Sequence, residues 1–280
     1  MKVHPFKIPK PENSALIYQE DIEAVFYDKL HQHNEIQISF IEKGNGTLLV
    51  GDHISSYVEN DIFIIGSNLP HAFKSDKHGV TESRMLSLFF TKSSFGDTFF
   101  ELNEFTALNR FFVKSAQGLV VKNNKSKIIE CFKKLKKASK LERFILLLEI
   151  LKHIAADKYE TLSTFVYEKT YSDNEGKRMR HVFEYTMTNY QKNISLETIA
   201  NEANMTKNAF CKYFKKRTNK TYIQFLNELR VQHADQLLRK NSEQPIAEIS
   251  ELSGFNNLSN FNRQFKNIKG CSPSLARKRN

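Results

Sequence analysis

The sequence predicts an α+β fold in two domains: a small β-barrel or sandwich with helices, then an all-α domain. Three observations carry this. Between about His31 and Thr91, apolar and polar residues alternate in short runs broken by Gly, Asn and Asp. Beyond Thr91 the apolar spacing becomes helical. The charge is also divided. Up to Gly176 there are 23 Lys and Arg against 23 Asp and Glu, whereas from Lys177 to Asn280 there are 19 against 8, so the last third holds the whole net charge of +11. A neutral domain followed by a basic one suggests two partners, the second polyanionic.

In chain order, EIQISFI places Ile36, Ile38 and Phe40 on one face of a strand and Glu35, Gln37 and Ser39 on the other. EKGNGTLLV follows, and Gly44-Asn45-Gly46 can form a tight hairpin. GD and END mark turns before HISSYV and DIFIIG, Asn68-Leu69-Pro70-His71 makes a loop, and SRMLSLFFT is a last strand. FFELNEFTALNRFF then reads as one helix. KSKIIECFKKLKKAS sets Ile128, Ile129, Phe132 and Leu135 on one stripe, opposite lysines. LERFILLLEILKHIAA carries Phe144, Leu147, Leu148 and Leu151 at helical spacing, either as a core helix or as half of a subunit interface. TYSDNEGKR loses the period, which makes residues 170–178 a linker between domains 1–169 and 179–280.

Cys131, Cys211 and Cys271 are odd in number and far apart, which argues against a disulfide framework or a zinc finger and fits a reducing compartment. MKVHPFKIPKPENS has no apolar run and is not a signal peptide. FILLLEILKHIAA is too short and too polar to span a bilayer. The expected location is the cytoplasm, with no membrane partner.

The last segment contains an internal repeat. Phe210, Phe214, Lys215 and Thr221 match Phe261, Phe265, Lys266 and Ser272 at an offset of 51, while Ile199 matches Ile249 at 50, so the second unit's turn has gained a residue. Each unit reads as helix, turn, helix. Ser195 can cap the first helix of unit one, and Thr206 and Asn257 can cap the second helices. Phe210 and Phe214 point inward in one unit, and Phe261 and Phe265 in the other. In SGFNNLSNFNRQFKNIKGCSP, Phe255 and Ile268 read as further anchors, and Leu258 as either an anchor or a contact to a thymine methyl. The outward residues are Lys207, Asn208, Cys211, Lys212 and Lys215, then Leu258, Ser259, Asn262, Arg263 and Lys266. A helix-turn-helix offers such a face to the major groove, where Arg suits guanine, Asn suits adenine, and Lys takes phosphates. With the capping Thr206 and Asn257, these are the candidate contacts to double-stranded DNA.

From about Ile194 to Pro273 the chain resembles the AraC/XylS transcriptional regulators. The resemblance rests on Leu196, Ile199 and Ala200; on Phe214, Lys215 and Lys216; on Arg230, Ala234, Leu237 and Leu238; and on Ile246, Glu248, Ile249, Gly254 and Phe255. It continues through Ser259, Phe261, Arg263, Phe265, Lys266, Gly270, Ser272 and Pro273. Asn219 stands where Gly is usual, Tyr222 replaces a Pro, and Ala276 precedes Arg277. The resemblance implies two helix-turn-helix units joined by one long helix, Asn227 to Arg239, that enter successive major grooves about 10 base pairs apart. Arg230 on that helix is either a structural partner or a phosphate contact. The usual outcome in the family is activation through RNA polymerase.

The first domain resembles the cupin-like sensor of these regulators through His31, His33, the Gly-Asn-Gly turn, Gly51-Asp52, Asn60-Asp61 and Leu69-Pro70-His71. Metal-binding cupins have a Glu four residues after the second His. Gln37 stands there, and an amide is a poorer ligand than carboxylate, so no metal is expected. The expectation is a pocket for a small-molecule effector, formed by His31, His33, Glu35, Gln37 and Ser39, whose shared strand face can line a barrel's interior, together with His71. No catalytic residue and no cofactor is implied. A homodimer, if formed, would use Lys127 to Ala156.

Overall fold

The computed structural model describes residues 14–76, 82–164, 173–240 and 243–278. The chain divides into two compact units, the first holding the residues up to Gly176 apart from Ile54–Ser56, the second those from Lys177 onward.

The strands among the described residues are β1 (Ile17–Glu23), β2 (Ile36–Lys43), β3 (Gly46–Val50), β4 (His53–Tyr57), β5 (Ile62–Ile65), β6 (His71–Ser75), β7 (Ser83–Phe90), β8 (Leu119–Val121) and β9 (Tyr159–Thr161). They form a six-stranded sheet, β1-β7-β2-β5-β8-β9, and a three-stranded sheet, β4-β3-β6. Among the described residues these are two open sheets, so of the expected barrel and sandwich the structure takes the sandwich and not the closed barrel.

The first unit's helices are α1 (Asn109–Ser115), α2 (Lys125–Leu135) and α3 (Lys140–Ala155). Ile36, Ile38 and Phe40 of β2 share a core with Ile128 and Phe132 of α2 and Leu147, Ile150 and Leu151 of α3. Ile41, Phe63, Ile65 and Met85 share a second core with Leu48, Val50, Tyr57 and Phe73 of the small sheet. The large sheet therefore has helices on one face and the small sheet on the other, and β2 is buried on both.

Three local expectations fail for physical reasons. Gly44-Asn45-Gly46 does not close a hairpin: β2 already pairs with β5 on one edge and β7 on the other, so the turn carries the chain into the other sheet. Phe99 to Phe112 is not one helix but two 3-10 segments, Phe99–Glu101 and Asn103–Leu108, followed by α1. Leu102 between them is extended (φ −60°, ψ 145°), and Phe95, Phe99, Phe100 and Phe105 turn their rings on one another instead. Strands β1, β6, β8 and β9 lay outside the alternation that was read.

Just after β9, Ser163 Oγ and Thr164 N donate to Asp52 Oδ1 at 2.7 and 2.9 Å, and Thr164 Oγ1 donates to Oδ2 at 2.6 Å. Of the expected linker, residues 170–172 lie outside the described residues, as do residues 1–13 of the N-terminal stretch. Residues 173–178 are helical instead of a linker, being the first turns of α4 (Asp173–Asn189).

The second unit continues with α5 (Leu196–Glu202), α6 (Lys207–Thr218), α7 (Tyr222–Lys240), α8 (Ile246–Leu252), α9 (Leu258–Lys269) and α10 (Pro273–Lys278). Phe183, Phe210, Phe214, Tyr222 and Phe225 pack the first half, with ring centroids 4.8 to 6.1 Å apart. Val231, Ala234, Ile249, Phe255, Phe261 and Phe265 pack the second. The connecting helix α7 starts five residues before Asn227, at Tyr222, where Thr221 Oγ1 accepts from Gln224 N at 3.2 Å.

Candidate nucleic-acid interface and ligand cavity

The two helix-turn-helix units are built by the same local devices. Ser195 Oγ accepts from Thr198 N, Thr206 Oγ1 from Ala209 N, and Asn257 Oδ1 from Asn260 N, so the expected caps form. Asn204 and Gly254 hold the left-handed turn position, and the next amide reaches back into the preceding helix in both: Met205 N to Ala200 O, and Phe255 N to Ser250 O. One residue separates Asn204 from its cap, and two separate Gly254 from Asn257, which locates the insertion. Asn219 and Gly270 end the second helices in the same conformation (φ 56° and 74°), with N–H donated to Lys215 O and Lys266 O.

Thr206, Lys207, Asn208, Cys211, Lys212 and Lys215 are all exposed on the first unit, as are Asn257, Leu258, Ser259, Asn262, Arg263 and Lys266 on the second. Phe210, Phe214, Phe261 and Phe265 beneath them are fully buried. Leu258 and Ile268 are 43% and 39% exposed, so Ile268 is no anchor. Arg263 is held by Asn260 Oδ1 at 2.9 Å. Arg230 takes the structural alternative, donating to the carbonyls of Tyr190 and Lys192.

In the first unit a cavity of about 230 Å³ lies against His31, His33, Gln37 and His71. Glu35 and Ser39 do not line it. Glu35 Oε2 stands 3.7 Å from His33 Nδ1. Ser39 Oγ accepts from Gln37 Nε2 at 2.7 Å and lies 2.8 Å from Ser87 Oγ. His31 and His71 exchange backbone hydrogen bonds of 3.1 and 2.9 Å, which brings the two rings to 4.3 Å. Gln19 and Asp21 of β1, with Phe26, Tyr27, Phe73, Met85 and Phe89, complete the wall. Sequence reading missed these. IYQEDIE has polar residues on both parities, so β1 gave no clean alternation, and the aromatics read only as core.

Paired helix-turn-helix units on a basic domain, behind a domain with a polar cavity, define a class: DNA-binding transcriptional regulators with a ligand-binding domain. The comparisons agree. A model described as "AraC-like ligand binding domain" matches residues 13–91 and one described as "Helix-turn-helix domain" matches residues 199–279. Between them they span more than half of the chain, and the chain belongs to the AraC family of transcriptional regulators. It is 22% identical over 260 residues to the "Uncharacterized HTH-type transcriptional regulator YdeC" of Bacillus subtilis, covering 91% of this chain and 87% of that one. It is 25% identical over 245 residues to the "Msm operon regulatory protein" of Streptococcus mutans, covering 86% and 83%. Among solved structures, the DNA-binding domain of AdpA in complex with a target DNA is 25% identical, with a TM-score of 0.34 over 39% of this chain and 93% of that one. The family is regulatory rather than enzymatic. Among the described residues, no helix is long and apolar enough to cross a membrane.

Proposed function

We propose that this regulator is an activator, controlled by a small polar effector in the cavity at His31, His33, Gln37 and His71, and acting in the cytoplasm. α6 and α9 enter successive major grooves on one face of DNA. Asn208, Ser259, Asn262 and Arg263 meet bases, Thr206, Asn257, Leu258 and Cys211 lie at that surface, and Lys207, Lys212, Lys215 and Lys266 take phosphates. The observation that carries the reading is that both second helices are pinned by buried Phe pairs while every candidate contact stays exposed. Effector binding shifts the DNA-binding domains' orientation or pairing, and the bound regulator contacts RNA polymerase.

Pairing of two copies would use the stretch from Lys127 to Ala156. Leu141 and Ile145, one helical turn apart on α3, are 69% and 50% exposed. Charge reversal there should turn a dimer into a monomer by light scattering. An unchanged mass would remove the proposed interface.

Selection of bound DNA from random sequence, repeated with sugars, carboxylates and aromatic acids, tests the whole reading. The expected result is a site of two boxes about one helical turn apart, with binding that responds to one ligand class. Transcription from that site with purified RNA polymerase should rise. Unselective binding at low salt would overturn the proposal.

A further inference from the structure

The 51-residue repeat lets the exposed faces of α6 and α9 be compared place by place. Lys207, Lys212 and Lys215 on α6 stand where α9 has Leu258, Arg263 and Lys266. Lys212 and Arg263 are both cations, but the residue three before each also differs: Ala209 on α6, Asn260 on α9.

On α9 the second difference serves the first. Asn257 Oδ1, at the cap, accepts from Asn260 N at 2.9 Å and fixes the first turn. Asn260 Oδ1 then accepts from Arg263 Nη2 at 2.9 Å, one turn along the same face. Asn260 is half-buried, whereas Arg263 is exposed. The helix contains no Asp or Glu, so no carboxylate of its own competes for the guanidinium. Asn260 is neutral and leaves Arg263 its full charge for DNA. A guanidinium has several N–H donors in one plane; with one given to Asn260, the others still supply the two-bond fork that meets O6 and N7 of guanine. A free Arg gives up rotamer freedom when it docks. One already held against its own helix gives up less, and binding to the right base gains by the difference.

α6 lacks this device. Ala209 offers no acceptor, and Lys212 is a point charge on a flexible stem, suited to a phosphate oxygen rather than to a planar base edge.

We propose that Asn260 is the positioning residue for Arg263, and that this pair makes the second unit the reader of sequence. The box under α9 is specified by a guanine, while the box under α6 is held chiefly through phosphates. That role rests on Arg263 meeting a base, as proposed above; it adds which residue aims Arg263 and which box carries the specificity.

The test uses full-length protein and the DNA that the wild type selects from random sequence, with each base pair of both boxes replaced in turn. In the wild type the largest loss should be about 5- to 150-fold, at one guanine of the α9 box, and every replacement in the α6 box should cost less. Asn260→Ala should reduce discrimination at that guanine by about two- to tenfold, with the salt dependence of binding unchanged because no phosphate contact is lost. Alanine is a better helix former than asparagine, so folding is not at risk. Asn260→Asp keeps the acceptor and should keep the discrimination. In the Arg263→Ala background, Asn260→Ala should have no further effect on it. Discrimination unchanged in Asn260→Ala, lost equally in Asn260→Asp, or strongest in the α6 box would overturn the proposal. The two levels fail separately. If Arg263→Ala relaxes a base and Asn260→Ala does not, only the positioning role falls. If Arg263→Ala relaxes none, the base contact of Arg263 falls, and the pair with it.

Discussion

Gly254 lies against the carbonyl oxygen of Tyr190: a Cβ built on Gly254 would fall 2.5 Å from that oxygen, and Arg230 Nε donates to the same oxygen at 2.7 Å. The turn of the second helix-turn-helix, the start of the loop after α4 and the middle of α7 thus converge on one atom. Gly254 also has φ of 87°, which side chains resist. Gly254→Ala should therefore destabilise the second unit by about 2 kcal/mol or more. Gly270 has φ of 74° but open space around it, so Gly270→Ala should cost about 1 kcal/mol and Gly270→Asn less, as Asn219 already holds the equivalent place. Denaturant unfolding of the three variants checks the order.

On DNA, Arg263→Ala should cost about 1–3 kcal/mol on the selected site and relax the preference at one base position. Lys266→Ala should weaken all sequences alike and reduce the salt dependence by about one counterion. Anisotropy titrations at several salt concentrations separate the two. Equal losses on specific and random DNA for Arg263→Ala would make it a phosphate contact.

Tyr222 gives a pH signature. Burial pushes its phenol up to about 12, only partly offset by the hydrogen bond with Thr186. The folded state then holds the proton more tightly than the unfolded state, whose phenol ionises near 10. Stability is full below pH 10 and is lost as pH rises toward 12. Burial raises Tyr18 and Tyr57 as well, so wild type must be compared with Tyr222→Phe. The melting-temperature advantage of wild type over Tyr222→Phe should shrink from pH 9 to pH 12.

Asp52 holds Ser163 and Thr164, just after β9, through three hydrogen bonds. Asp52→Ala should remove these three bonds, at a cost of about 1–3 kcal/mol, and should speed proteolysis near Ser163. Unchanged cleavage would show that the segment is held by other contacts.

The second unit was legible because its signals are local. Caps, Phe pairs four residues apart and the 51-residue offset need no knowledge of the tertiary fold, and Thr206, Asn257, Phe210 and Phe261 stand where that grammar puts them. The first unit was less legible because its decisive contacts are distant in sequence. His31 meets His71 across forty residues, and β8 joins the sheet from beyond the aromatic cluster. β6 begins at a residue that read as loop. The inward turn of Gln37 and Ser39 followed from strand parity, but their separate fates depended on Ser87 and Phe89 of β7, which pair with Ser39 and Gln37.

β2 is a party wall. Gln37 faces the histidines, while Ile36 and Ile38, the residues on either side of it, are packed among the side chains of the helical layer. Both layers are close-packed and give little under load. A guest that shifts Gln37 must drag the two isoleucines through the same rigid stretch of extended backbone. No hinge or loop lies between: one room's wall is the other room's floor.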